Sequence, residues 1–258
     1  MARKPAALLA QLSDPHVRVG PDDDGTGAAL EAAVAAVAAL DPGPDALLLS
    51  GDLAEHADPR EYERVRELLR PLAMPVHAIP GNHDDRAALR AHFDIPGEGP
   101  GGLVQYAVTC GELRLVACDS TVPGWDHGGF GPDRLALLEE LLGEDTGSPT
   151  IVAMHHPPCL VGADGLDAIG VPEPERAALG ELLARHPQVS RVLAGHVHRA
   201  TTGRVGDCPV VTCPSNWRES ALDLRPGSAL SFSESDPPGF ALHVLTDDGE
   251  LASHIQPL

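Results

Sequence analysis

The chain has 258 residues, enough to enclose a sizeable core as one large domain or two small ones. It is 43% hydrophobic and 22% charged, the composition of a globular protein, and no apolar run approaches the roughly 20 residues of a membrane span. Acidic side chains outnumber basic ones 38 to 18, for a formal net charge of −20. Such a surface repels polyanions at long range, which disfavours duplex DNA and anionic membranes, although a local basic or metal-filled cleft can still hold one phosphate.

In chain order, the opening MARKPAALLAQLSDPH has a basic start and a short apolar stretch, like a secretory leader. It runs directly into Asp14 and His16, so it reads as a first strand. The acidic, glycine-bearing residues 20–27 read as a surface loop. The Ala-rich residues 27–40 predict a helix with Leu30, Val34, Val37 and Leu40 on one face. DALLLSGDL is a second apolar run, followed by a helix over 59–70 that starts at Pro59 and aligns Tyr62, Val65, Leu68 and Leu69. PVHAIPGNHDD, LRLVACDS, PTIVAMHHPP and VSRVLAGHVH continue the series. A loop over 95–102 and helices over 131–142 and 172–186 lie between them. The apolar cores are short and rich in Val, Leu, Ile and Ala, as fully buried strands are. Strand–helix alternation of this kind predicts an α/β architecture with largely parallel strands.

The pattern changes after residue 203. CPVVTCPS reads as a strand, and GFALHVLTDDGELASHIQPL as two strands joined by a turn at Asp247-Asp248-Gly249. Residues 216–239 between them are rich in Ser, Pro and Gly and read as a loop or cap near the active site. The five cysteines lack metal-site spacing and read as buried free thiols of a reducing compartment. One domain over residues 1–258 is expected.

Chemistry-bearing residues stand where the apolar runs end. Asp14 and His16 follow the first run and Asp52 the second. Asn82 and His83 follow the third, His155 the fifth, and His196 with His198 the sixth. In open α/β sheets, ligands gather at the carboxyl ends of the strands. Each motif alone has an ordinary reading: a Gly-Asp after a strand is a turn, and a lone histidine is a hydrogen-bonded core residue. Their succession at strand ends does not. Two aspartates, one asparagine and four histidines form a mixed oxygen and nitrogen donor set suited to Mn, Fe, Zn or Co. Seven donors exceed one tetrahedral zinc and suit two ions sharing a carboxylate. On an extended chain, His196 and His198 would point the same way with Cα atoms about 6–7 Å apart, each reaching a different ion.

D-x-H, G-D, G-N-H-D, H-H-P-P and G-H-x-H, in this order over residues 14–198, resemble the calcineurin-like metallophosphoesterase superfamily. Within it the chain most resembles the bacterial class III cyclic-nucleotide and glycerophosphodiester phosphodiesterases. GGFGPDRLALLEELL and PPGFALHVLTDDGEL resemble that subgroup too. The resemblance implies a four-layer αββα sandwich, two mixed β-sheets flanked by helices, with a dinuclear metal site at the C-terminal edge of the strands. It implies Asp14, His16 and His198 on the first ion, Asn82, His155 and His196 on the second, and Asp52 bridging. A metal-bound hydroxide would attack phosphorus in line with the leaving oxygen. His83, not a ligand, would face the phosphoryl group and stabilise transition-state charge or protonate the leaving alkoxide.

Around this set, Asp84 reads either as a partner orienting His83 or as a helix N-cap. His156 reads as a partner behind the ligands or as facing away. His56 reads as a surface residue or a cleft residue, and Asp119 with Ser120 as a candidate substrate contact. The subgroup's Pro-Ser-Thr-like segment appears as CPSNWRES, in which Pro214 and Ser215 match but Asn216 and Trp217 do not.

The activity implied is hydrolysis of small phosphodiesters, 3′,5′-cyclic nucleotides among them. A phosphomonoesterase using the same site is the alternative, and the acidic charge counts against a nuclease. A metal-poor protein-binding scaffold on this fold would have lost ligands, and none is missing here. A cytoplasmic enzyme without membrane or nucleic-acid partners is expected, and relatives often form homodimers.

Overall fold

Residues 5–97 and 99–258 are described in the computed structural model; Arg3 and Lys4 of the basic start and Glu98 of the predicted 95–102 loop lie outside them. Eleven strands form among these residues: β1 (Ala7–Leu12), β2 (Ala46–Leu49), β3 (Val76–Ala78), β4 (Tyr106–Cys110), β5 (Leu113–Cys118), β6 (Thr150–Met154), β7 (Val189–Ala194), β8 (Thr201–Val205), β9 (Cys208–Thr212), β10 (Gly239–Leu245) and β11 (Leu251–Pro257). The helices are α1 (Thr26–Ala38), α2 (Pro59–Leu69), α3 (Arg86–His92), α4 (Pro132–Glu144), α5 (Asp164–Asp167) and α6 (Glu173–Leu183).

The strands make two sheets, ordered β11-β10-β1-β2-β3 and β4-β5-β6-β7-β9-β8. Their centres are parallel: β1 with β2 and β2 with β3 in the first, β5 through β6 and β7 to β9 in the second. The expectation of largely parallel strands holds only there. β4, β8, β10 and β11 pair antiparallel, because tight connections such as Gly111-Glu112 and Gly206-Asp207 can join only antiparallel neighbours. Both sheets are therefore mixed.

Side-chain alternation along β5 shows the layering. Leu115 and Ala117 join the core that contains Leu9, Leu47 and Leu49 of the first sheet. Val116 and Cys118 pack instead with Leu138 and Leu142 of α4 and with Leu179, Leu182 and Leu183 of α6. On the far side of the first sheet, α1 and α2 contribute Leu30, Val34, Val37, Tyr62, Val65 and Leu68 to its core. The result is helices, sheet, sheet, helices. Strands covered on both faces favour apolar residues at most positions, which is why they read as near-continuous runs, broken only by residues such as Gln11 of β1 and Arg114 of β5. Each buried Leu or Val there contributes about 1.5–3 kcal/mol over exposure.

α2 starts on a capping box, Asp58 and Glu61, with Pro59 in its first turn. The five cysteines are buried and free. No helix among the described residues is long and apolar enough to cross a membrane. Residues 213–238, between β9 and β10, form no helix or extended strand and carry one isolated bridge, Ser220 to Phe232. The predicted 216–239 cap thus ends one residue earlier, since Gly239 already pairs in β10.

Candidate metal centre

β1, β2 and β3 end beside β6 and β7, so the loops after them meet across the two sheets. Pairing of β1 with β2 continues past the strands: Asp14, His16 and Val17 donate their N–H groups to the carbonyls of Gly51, Asp52 and Leu53 at 3.1, 2.9 and 3.0 Å. From the second sheet, the His196 N–H donates to both Asp14 carboxylate oxygens at 3.1 and 3.0 Å, and Gly195 N–H to His155 O at 2.9 Å. All seven predicted ligands converge on one spot.

The backbone there is unusual. Asp14, His16, Asp52, His196 and His198 have φ of 53, 44, 51, 68 and 44°, and Ala57 is the one other non-glycine with positive φ among the described residues. Left-handed conformations cost L-residues roughly 1–2 kcal/mol each, least for Asp and His. This corrects the extended H-x-H expectation. Residues 196–199 form a bend in which Val197 N–H donates to Gly195 O at 2.8 Å. The bend still sends the two imidazoles apart: His198 Nε2 lies 3.0 Å from His16 Nε2, and His196 Nδ1 lies 3.2 Å from His155 Nε2. Glycine precedes Asp52 and His196 for a steric reason. A Cβ on Gly51 (φ 102°) would overlap the His155 ring, and one on Gly195 would overlap Ser13 Oγ and the Asp14 carboxylate.

Each imidazole has one nitrogen pinned by an oxygen. Nδ1 of His16 pairs with Glu55 Oε2 at 2.7 Å, that of His155 with Ser50 O at 2.7 Å, and that of His198 with Arg218 O at 2.8 Å. His196 is reversed, its Nε2 donating to Ile169 O at 3.0 Å. Oxygen acceptors fix each tautomer and leave the other nitrogen's lone pair facing the cluster, the arrangement that metal-binding histidines require. His83 follows the same rule, with Nδ1 on Glu55 O at 3.0 Å.

Asp52 links two groups of donors. Its Oδ1 accepts from the His83 N–H at 2.9 Å. Its Oδ2 lies 3.5 Å from His16 Nε2 and 3.3 Å from His155 Nε2. Asp14 Oδ1 lies 3.5 Å from His198 Nε2. Donors that share an ion at 2.0–2.2 Å lie about 3.0–3.5 Å from one another, so these spacings fit metal binding. Asn82 Oδ1, the atom expected to coordinate, is buried and has no hydrogen-bond partner among the described residues. A cation would satisfy it. The residues fit the ions that the donor set implies.

The buried carboxylates and imidazoles act on one another electrostatically. Burial pushes the Asp14 carboxyl up, but the His198 and His155 imidazoles hold it at about 2. Burial works against Asp52 too, yet His155 and His16 keep it well below the usual carboxylate range. Burial opposes protonation of His155, but Asp52 and Asp14 outweigh it and raise the imidazole to about 9. Burial and the neighbouring His155 push His196 down to about 3, leaving it a neutral donor. Behind Asp14 runs a buried chain of hydrogen bonds. His243 Nε2–H donates to Gln11 Oε1 (2.9 Å), Gln11 Nε2–H to Ser50 Oγ (2.8 Å), Ser50 to Ser13 Oγ (2.7 Å), and Ser13 to Asp14 Oδ2. Every donor points toward the carboxylate, as suits an anion.

The remaining expectations fare differently. Asp84 neither orients His83 nor caps α3, whose N-cap is Asp85. It accepts from the N–H groups of Leu53, Ala54 and Gly81 and from the Tyr62 hydroxyl, tying the Asp52 loop to the Asn82 loop. His156 is buried behind the ligands, its Nδ1 on Ser120 Oγ at 2.8 Å and its ring 4.4 Å from that of His196. Asp119 is not a substrate contact. It is fully buried, and Arg86, Val104 N–H and Thr121 occupy its oxygens. His56 is exposed and pairs with Glu61. Glu55 was not anticipated, though it follows Asp52 by three residues on the same loop. It joins His16 to Arg18 and sits at about 2, where its bonds to His16 and Arg18 outweigh burial.

A cleft of about 430 Å³ opens over His16, Asp52, Asn82, His83, His196 and His198. Arg18, Glu55 and Asp126 line it, as do Trp217, Arg218 and Phe232 of the 213–238 segment.

The sequence profile of the calcineurin-like phosphoesterase family matches residues 7–200. The chain is 36% identical to a "Probable cyclic nucleotide phosphodiesterase" of Synechococcus sp., over 96% of this chain and 91% of that protein. It is 32% identical to the glycerophosphodiester phosphodiesterase GpdQ of Enterobacter lignolyticus, over 92% and 86%. The purple acid phosphatase PPD1 of yellow lupin superposes with a TM-score of 0.72 at 15% identity, over 98% of this chain and 52% of the lupin chain, a likeness of fold. Calcineurin-like phosphoesterases use a dinuclear metal centre. With a matching profile over most of its length and these donors at its strand ends, the chain belongs to the calcineurin-like phosphoesterase family.

Proposed function

We propose that this protein is a dinuclear-metal phosphodiesterase that hydrolyses small phosphodiesters, 3′,5′-cyclic nucleotides among them. The observation that carries the reading is Asp52 Oδ2, which lies between His16 and His155 and so between two donor groups. Asp14, His16 and His198 would hold one ion and Asn82, His155 and His196 the other, with Asp52 shared. The donor types suit Mn, Fe, Zn or Co. Such ions supply Lewis acidity toward phosphoryl oxygens and a nucleophile at neutral pH.

The chain's own residues do the rest. His83 lines the cleft beside Asp52 and Asn82. With Nδ1–H held by Glu55 O, the protonated ring presents Nε2–H to the cleft, where it can protonate a leaving alkoxide. Arg218 brings positive charge to a cleft of a strongly acidic protein, Arg18 there being paired with Glu55 and Asp24. One local cation favours a single phosphate diester over a polyanion. The names of the relatives support a diester over a monoester substrate.

The test is hydrolysis of bis-p-nitrophenyl phosphate against p-nitrophenyl phosphate after loading with Mn²⁺, with Asn82→Ala as control. The diester should be preferred, and the variant should lose about a thousandfold, the equivalent of several kcal/mol of metal-derived stabilisation. Preference for the monoester would make the protein a phosphatase.

A further inference from the structure

The part of the cleft wall supplied by residues 213–238 is aromatic and cationic. The Arg218 guanidinium lies 5.1 Å from the Trp217 ring centre and 4.9 Å from that of Phe232, and the Arg18 guanidinium lies 4.8 Å from Trp217. Phe232 is 40% exposed and Leu230 46%, both facing the cleft. Exposed apolar surface concentrated in a cleft marks a place that a ligand covers.

This wall is tied to the metal-ligand cluster. Arg218 O holds His198 Nδ1, and Ser220 N–H donates to His198 O at 2.8 Å. The Phe232 ring lies 5.6 Å from that of His198, and the Trp217 ring 6.0 Å from that of His16. A diester held at the cluster would therefore carry its nearest substituent onto these rings. A glycerol substituent offers hydroxyl groups, which the guanidinium can bind but which leave the aromatic faces without a partner. A nucleobase offers a flat π-face, which stacks on aromatic and guanidinium planes, and in a cyclic nucleotide one ribose separates it from phosphorus.

We infer that Trp217, Arg218 and Phe232 form a stacking platform for the nucleobase of a cyclic-nucleotide substrate. The inference rests on the phosphodiesterase reading above and names the substrate that this site selects. It also gives a purpose to Trp217, which departs from the related segment.

The test compares kcat/KM of the Mn²⁺-loaded enzyme for cyclic AMP and for base-free ribose 3′,5′-cyclic phosphate, in wild type and in the Trp217→Ala, Arg218→Ala and Phe232→Ala variants. Wild type should prefer cyclic AMP, and the ratio of the two values should fall about tenfold or more in the Trp217 and Phe232 variants. Thermal unfolding confirms that each variant is folded; Phe232, being partly exposed, serves if Trp217→Ala is not. Ratios equal to that of wild type overturn the platform. So does a wild type that hydrolyses bis-p-nitrophenyl phosphate yet ignores the base, an outcome that leaves the phosphodiesterase reading intact. Failure to hydrolyse any diester overturns both.

Discussion

The strand-end loops and the 213–238 segment share one cleft, yet they are built in opposite ways. In the loops the donor side chains are largely buried, each imidazole is pinned, and the Asp14 carboxylate is backed by a chain of hydrogen bonds reaching β10. Five left-handed residues persist there because pairing across strands holds them. The segment has one isolated bridge and leaves Leu222, Leu224, Leu230 and Phe232 exposed. Metal chemistry tolerates little displacement of its donors, so rigid, fully bonded loops suit it. A surface that grips a substituent of the substrate needs area and apolar contact more than fixed geometry. The same cleft therefore joins a precise half to an adaptable one.

This contrast can be broken from the rigid side. Gly195→Ala should have the largest effect, because its Cβ enters the space of Ser13 Oγ and Asp14. Overpacking should cost about 1–3 kcal/mol, read by denaturant unfolding. Displacement of Asp14 should weaken Mn²⁺ binding about 10–100-fold, read by competition with a chelator. Unaltered metal affinity would show that the cluster is softer than its hydrogen bonds imply.

The buried chain has a signature in pH. Burial, with Arg191 and His254 nearby, pushes His243 down from 6.5 to about 3. Between those values the unfolded chain binds a proton that the native chain refuses, so stability falls as pH drops through 6.5. At pH 5 this one group should cost about 2 kcal/mol relative to pH 7.5. In His243→Gln the difference between urea unfolding free energies at the two pH values should shrink by about that amount. An unchanged difference would mean that His243 takes up its proton in the folded state. The smallest effect is expected on the adaptable side: Leu224, 63% exposed, should change to Ser with a stability shift within about 0.5 kcal/mol.

Much of this was legible in the chain alone, for a definite reason. Strands covered on both faces are predominantly apolar, so Asp14, Asp52, Asn82, His155 and His196 stand out where the apolar runs stop. Tyr62, Val65, Leu68 and Leu69 showed the buried face of α2 through helical spacing, and all four are buried. Those features depend on neighbours in sequence. What depends on neighbours in space was not legible. The left-handed turns at His196 and His198 follow from bonds to residues from distant parts of the chain, which no local propensity records. Asp119 is withdrawn from the cleft by Arg86, 33 residues away, and Asp84 ties two loops together instead of serving its neighbour. The chain from His243 through Gln11 to Asp14 joins residues 232 positions apart. The sequence by itself determined which donors exist and at which strand ends; only the packing of two sheets decided which atom of each donor faces the centre.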